Sequence, residues 1–462
     1  MKKLFLLSFF CMATVAISLA QLKVLPTSGN VGIGILSPST ILHLKGLTPF
    51  ITLENTNSSK IWQMGINSSD FWIVDGYYGT RLCIKNTTGN VGINTSSNLY
   101  SALNVNGGIN ITSADSAYRI SNNPILRVKG TGNLFVGSEA GKNTSGNYNT
   151  FNGFQAGYTN STGTYSTFMG YQSGYSNTTG SYNTFEGYKA GNLNVNGEQN
   201  TFLGNVAGMK NTGSYNTSVG SYAGYNNTGP YNVFMGQQAG YYSSTDTGST
   251  FIGFHAGWTN ATGSYNTLLG YGANVRTAYL TNATAIGNGA IAQNSNYVRI
   301  GNGAVTTSWV NVAWTIGSDG RFKFNIQENV KGLDFINKLR PVTYQMNTQQ
   351  LDNFIIQNMS DSIKIMHQTG MDFAPSTAVV HSGFIAQEVD SAANLSGFIS
   401  SIVHKPTSSD DIYGLSYAEI VDPLVKAVQE LNATITQQGL EIQTLKARLD
   451  ECCKAVIPAT GN

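Results

Sequence analysis

The sequence predicts a mostly β chain: an elongated, repetitive β-roll or β-solenoid, then a small α+β domain, then a C-terminal coiled coil. Three observations predict it. A phrase built on a glycine followed by Ala/Ser-Gly recurs every 16 or 17 residues from residue 137 onward. The composition is rich in Gly (52 residues) and poor in Pro (10), which suits short strands joined by tight turns. Near the end, apolar residues fall at alternating spacings of three and four, the signature of a helix seam.

The chain has 462 residues, room for two to four domains. Charged residues make up 11% and the net charge is +2, so no basic field is available to hold a nucleic-acid backbone. The N-terminus reads as an export signal over residues 1–20. Lys2 and Lys3 form its basic start, Leu4 to Leu19 its apolar run, and Ser18-Leu19-Ala20 its cleavage pattern before Gln21. The apolar run is short for a membrane anchor and no later stretch approaches a span. The chain is therefore expected to be secreted, extracellular or at a cell surface.

Residues 22–130 are expected to be a β-rich region. It holds two related phrases: Asn30-Val31-Gly32-Ile33-Gly34 leading to Leu42-His43-Leu44, and Asn90-Val91-Gly92-Ile93-Asn94 leading to Ala102-Leu103-Asn104-Val105. Between them, Ile61-Trp62 and Phe71-Trp72-Ile73-Val74 read as strands of a small module. Cys83 is expected to be a buried free thiol.

Residues 131–310 carry the repeats. The leading glycines are Gly137, Gly153, Gly170, Gly187, Gly204, Gly220, Gly236, Gly253 and Gly270. A typical unit is Tyr182-Asn183-Thr184-Phe185-Glu186-Gly187-Tyr188-Lys189-Ala190-Gly191. A short fixed period implies one coil per repeat, with two short strands and two turns each. Coils stacked about 4.8 Å apart would make a rod on the order of 45 Å long. The Phe/Leu positions are expected to form an interior ladder, and the Asn-Thr column a second one through amide and hydroxyl hydrogen bonds. At Ala283-Thr284-Ala285-Ile286-Gly287-Asn288-Gly289-Ala290 and Val298-Arg299-Ile300-Gly301-Asn302 the phrase changes. Residues 283–303 resemble the head repeat of trimeric autotransporter adhesins, which implies a left-handed β-roll in a trimer.

The third zone opens with Ser318-Asp319-Gly320-Arg321-Phe322-Lys323-Phe324. Ser and Lys five apart permit a nucleophile and a base, since an amine serves as base once desolvation lowers its pKa. An ordinary polar turn fits that spacing as well. Three further phrases follow in order: Gly332-Leu333-Asp334-Phe335 to Leu339-Arg340-Pro341-Val342-Thr343-Tyr344, then His381-Ser382-Gly383-Phe384-Ile385-Ala386-Gln387-Glu388-Val389, then Tyr413-Gly414-Leu415-Ser416-Tyr417. Together they resemble the C-terminal intramolecular chaperone domain of phage endosialidases and tail fibres, also found in myelin regulatory factor, over residues 318–449. The resemblance implies a domain that cuts its own chain before the serine once it has trimerised. Ser318 would be the nucleophile, Lys323 the general base, and Gly317–Ser318 the scissile bond. Arg321, His381 and Gln387 would be supporting residues. The segment Gln349–Val379 fits the family loosely and reads as an insertion.

A coiled coil is expected over residues 418–453. Its seam is Val421, Leu424, Val428, Leu431, Ile435, Gln438, Ile442, Leu445 and Leu449, and Pro423 stands in the first turn, where a missing N–H costs little. A parallel homotrimer is favoured. Cys452 and Cys453 would lie at its end, either bridging between chains or standing as exposed thiols. No Cys/His spacing suggests a metal site, and no cofactor is expected.

These elements give a surface or released trimeric fibre, adhesin-like, whose C-terminal domain assists assembly and then releases itself. Its ligand would be a surface glycan or a protein receptor. The rivals are a glycan-acting enzyme, disfavoured because Glu139, Glu186 and Glu198 are scattered; a structural fibre with an inactive peptidase site; and a membrane-tethered transcription factor, disfavoured by the missing basic domain.

Overall fold

The computed structural model describes residues 31–456 apart from 36, 56–59, 68, 77–78, 97–101, 108–116, 121–122 and 313. The expected export segment and Gln21 lie outside the described residues. Two compact units are present, residues 1–112 and 113–462. Among the described residues no helix is long and apolar enough to cross a membrane.

In the first unit both related phrases fold alike. Val31–Ile33 pairs in parallel with Leu42–Leu44, and Val91–Ile93 with Leu103–Val105. The second pair closes a six-stranded sheet whose antiparallel strands are Phe50–Asn55, Lys60–Asn67, Asp70–Asp75 and Gly79–Ile84. Cys83, on the last of these, is free and fully buried.

The second unit begins with an antiparallel hairpin, Ala117–Ile120 and Asn123–Arg127, that caps a thirteen-stranded sheet. The remaining strands are parallel and run from Leu134–Val136 to Val298–Ile300, one per coil of a β-solenoid. Each strand alternates in–out: Asn149 is buried, Thr150 exposed, Phe151 buried. Phenylalanine therefore faces the axis, and the rings stack at the strand spacing. Centroids lie 5.2 Å apart for Phe135–Phe151, 4.6 Å for Phe151–Phe168, 4.9 Å for Phe168–Phe185 and 4.8 Å for Phe185–Phe202.

The asparagine one step earlier forms the second interior ladder. Its Oδ1 accepts the backbone N–H of the next coil, as in Asn200 N–H to Asn183 Oδ1 and Asn216 N–H to Asn200 Oδ1, both 2.9 Å. Its Nδ2 donates to a carbonyl one coil on, as from Asn200 to Gly213 O at 2.9 Å. A buried amide thus satisfies two backbone groups that no strand partner reaches. The threonines do not share that interior. Thr150, Thr184 and Thr267 are exposed and Thr167, Thr201, Thr217 and Thr250 half-buried. A residue between two inward-facing neighbours on a strand must point outward, so the expected Asn-Thr ladder is an asparagine ladder with an outer threonine row.

The two strands per coil expected from the repeat length reduce to one. The second Gly of the Ala-Gly step, such as Gly174 or Gly191, has φ of 58° or 57° and breaks any extended run there. In the last two coils that glycine becomes Asn274 and Ile291, which do not adopt positive φ, and there a second strand pair forms, Asn274–Val275 with Ile291–Ala292. The leading glycines have φ between 113° and 140°, and a Cβ on Gly187 would strike the carbonyl oxygen of Gly204 in the next coil. Period and glycine thus enforce each other.

The C-terminal region is small and α+β. Its helices are α1 (Leu333–Ile336), α2 (Thr348–Ile356), α3 (Asp361–Gln368), α4 (Ala374–Thr377), α5 (Ala386–Ser396) and α6 (Val421–Val456). Two antiparallel ladders accompany them, Val342–Gln345 with Val380–Gly383 and Val403–His404 with Gly414–Leu415. Phe335, Val389, Ala392 and Ile402 form its core. The start of α6 packs against α1, with Pro423 and Ala427 buried, but every residue from Leu431 to Lys454 is exposed. That is a lone amphipathic helix of roughly 36 Å. It begins three residues later than the expected coiled coil, after a 3-10 turn at Tyr417–Ile420.

Candidate functional site

Every described residue from Val305 to Asn329 is exposed and has no regular strand partner. Within this extended stretch one local turn is well made. Asp319 Oδ1 accepts the N–H of Arg321 at 2.9 Å, its carboxylate pairs with the Arg321 guanidinium at 2.6 Å, and a 3-10 turn spans Gly320–Phe322. Arg321 beside it holds the Asp319 carboxyl below the usual carboxylate range. Lys323 N–H closes the turn on Gly320 O at 3.2 Å. The chain therefore doubles back, and Lys323 Nζ donates to Ser318 Oγ at 2.7 Å.

That contact joins the nucleophile and base named from the sequence. Arg321 touches neither of them; it acts on the turn through Asp319. A Cβ on Gly317 would meet nothing within 4 Å, so the single chain itself places no steric demand for glycine there. His381 and Gln387 are exposed, and among the described residues neither makes a hydrogen bond to Ser318 or Lys323. His381 lies across from Tyr344 with ring centroids 5.6 Å apart. Gln387 lines a cleft of about 640 Å³ with Tyr344, Phe384, Tyr413 and Tyr417.

The ordered phrases meet in the fold as a brace. Tyr417 Oη accepts the N–H of Phe384 at 3.0 Å, and a Cβ on Gly383 would collide with that hydroxyl. Arg340 pairs with Glu388. Glu430 of α6 was not singled out in the sequence, yet its carboxylate accepts the N–H of Leu333 at 2.7 Å and lies where a Gly332 side chain would be. The signal for it was Gly332 at the entry of α1, where both the backbone conformation (φ −90°, ψ −107°) and the closeness of Glu430 favour glycine.

No curated protein matches the chain. Residues 318–397, which begin at Ser318 itself and hold both members of the Ser–Lys contact, match the family model described as chaperone of endosialidase, a family that implies a self-cleaving role in general.

Proposed function

We propose that this chain is a secreted, trimeric, tail-fibre-like or adhesin-like protein whose C-terminal domain drives trimerisation and then cuts the bond between Gly317 and Ser318. The observation that carries this reading is the Ser318–Lys323 contact of 2.7 Å at the first residue of the family match, set in an exposed stretch that has no strand partner among the described residues. In that stretch apolar side chains alternate before the turn and again from its end, and all stand open: Val312 at 80%, Trp314 at 79%, Ile316 at 78%, then Phe322 at 80%, Phe324 at 85% and Ile326 at 75%. Period-two apolar patterning needs a covered face. Two further copies supply one, as they do for the exposed seam of α6, where Leu431, Ile435, Ile442, Leu445 and Leu449 are 47–63% exposed.

Trimerisation also completes the chemistry. Lys323 lies open to solvent in the single chain. Packing of neighbouring copies around it would remove water and let the amine act as base. Ser318 Oγ then attacks the Gly317 carbonyl carbon and its proton passes to Lys323 Nζ. The C–N bond breaks, the proton returns to the departing Ser318 amine, and Gly317 becomes esterified to Ser318 Oγ. Water hydrolyses the ester, leaving a Gly317 carboxylate. Long-range pairing between chains is slow, and a terminal helix bundle raises local chain concentration before the coils align.

The test is to express residues 21–462 and run them denatured. Two fragments from wild type, one beginning at Ser318, and a single band from Ser318→Ala are expected, with a trimer mass by sedimentation for both. A single uncut band from trimeric wild type would refute cleavage; a monomer would refute the assembly.

A further inference from the structure

We propose that the insertion carrying α2, α3 and α4 is a clamp that seats the C-terminal domain on the last coils of the solenoid, so that cutting the linker severs the chain without separating the two parts. The proposal concerns the contact and not the cut, and it holds whichever agent severs the linker.

The contact has an apolar centre. Ile355 and Ile356 of α2, Met359, and Ile363 of α3 are each 2–7% exposed and enclose Ile291 of the solenoid, with Trp258 against the same cluster. Polar contacts flank it. Asn294 Nδ2 donates to Asp411 Oδ1 at 3.1 Å, and the Arg276 guanidinium lies 3.6 Å from Asp410 and over the ring of Phe354. By contrast the exposed stretch from Val305 to Asn329 holds nothing together.

The solenoid changes its repeat where the clamp lands. One column of the coils reads Gln155, Gln172, Lys189, Val206, Tyr222, Gln238 and His255, then Gly272 and Gly289. A Cβ on Gly272 would lie 3.7 Å from Met366 Cε. One on Gly289 would run into Met371 and come within 3.1 Å of the His367 ring. His255, the last side chain of that column, packs against Met366. The adjoining column does the reverse: it is glycine from Gly157 to Gly257 and becomes Ile291 in the coil that α2 and α3 cover. Side chains are removed where the insertion must approach and added where it offers an apolar pocket. Repeat periodicity alone produces neither change.

The test uses the full mature chain with Ser318→Ala and a site-specific protease sequence inserted between Thr307 and Ser308. After complete cutting by the added protease, size-exclusion chromatography should return both fragments in one peak in equal amounts. With Ile363→Asp the co-eluting C-terminal fragment should fall at least tenfold. If that variant loses helical circular dichroism, Ile291→Gly replaces it, because earlier coils already fold with glycine at this place. Fragments that part on cutting the parent, or that stay together in a folded clamp variant, overturn the proposal.

Discussion

Lys323 Nζ and Ser318 Oγ meet at 2.7 Å because Asp319 and Arg321 fold the four intervening residues into a turn, with no help from the rest of the chain. The Ser318–Lys323 contact is thus preformed in the single chain, while the desolvation that the proposed chemistry needs is not. Lys323→Arg should therefore abolish self-cleavage although it keeps the charge and the reach, because a guanidinium does not give up its proton. Asp319→Ala should slow cleavage about 10- to 100-fold by loosening the turn. Mass spectrometry of the fragment beginning at Ser318, sampled over time, measures both.

The turn shows what the sequence could and could not reveal. Ser318 and Lys323 stood out only through the resemblance carried by the ordered companion phrases, because their spacing alone fits an ordinary polar turn. The brace was not legible: Glu430 lies nearly a hundred residues from Leu333, and only the fold brings them together. In the solenoid the phenylalanine ladder follows from the period and the apolar side chain, whereas the expected Asn-Thr ladder did not separate its two residues. The orientation of threonine does not follow, since period 16 or 17 says nothing about which face a strand residue takes until a neighbour's burial decides it. The docking of α2 and α3 was hidden for another reason. Gly272, Gly289 and Ile291 look like drift in a repeat until the partner surface is seen.

The asparagine ladder predicts a graded stability loss. Asn200→Ala strands both the Gly213 carbonyl and the Asn216 N–H inside the solenoid. That should cost about 2–4 kcal/mol. Asn200→Ser should cost about half as much, since the column itself uses serine twice. Ser166 Oγ accepts the N–H of Asn183 at 3.2 Å and Ser249 Oγ that of Asn266 at 3.1 Å, so the acceptor role survives while the donor role is lost. Thermal unfolding of the three proteins side by side ranks them. Equal midpoints would show that the ladder carries no stability.

The phenylalanine ladder has one break. Ser218 stands between Phe202 and Phe234, is fully buried, and its hydroxyl has no hydrogen-bond partner. The stack loses its alignment there: Phe185 and Phe202 are 4° from parallel, Phe234 and Phe251 45°. Ser218→Ala removes an orphaned polar atom at little cost in packing, and should raise stability by about 1 kcal/mol. Phe185→Ala, in the intact part of the stack, should lower it by about 3–5 kcal/mol. Denaturant titration of both variants checks the opposite signs.

Asp246 sets a pH dependence on the fibre. It occupies the column that is glycine at Gly213, Gly229 and Gly263, and is fully buried with Asn260 Nδ2 donating to its Oδ1 at 2.6 Å. Burial pushes its carboxyl up from 3.8 to about 7. The folded chain therefore holds a proton that the unfolded chain has released. Stability from this group is greatest below about pH 4, declines as pH rises toward 7, and is level above; the span is on the order of 4 kcal/mol. His255 works with the opposite sign. Burial lowers it from 6.5 to about 4, so folding loses stability as pH falls through that range. Wild type alone would show the two effects superimposed, and the difference between it and Asp246→Asn isolates the aspartate. The variant has no proton to lose and an amide oxygen that still accepts from Asn260. Its unfolding midpoint should match wild type near pH 4 and exceed it increasingly up to pH 7, with a constant gap beyond. A gap that does not change with pH would mean that Asp246 carries the same charge folded and unfolded.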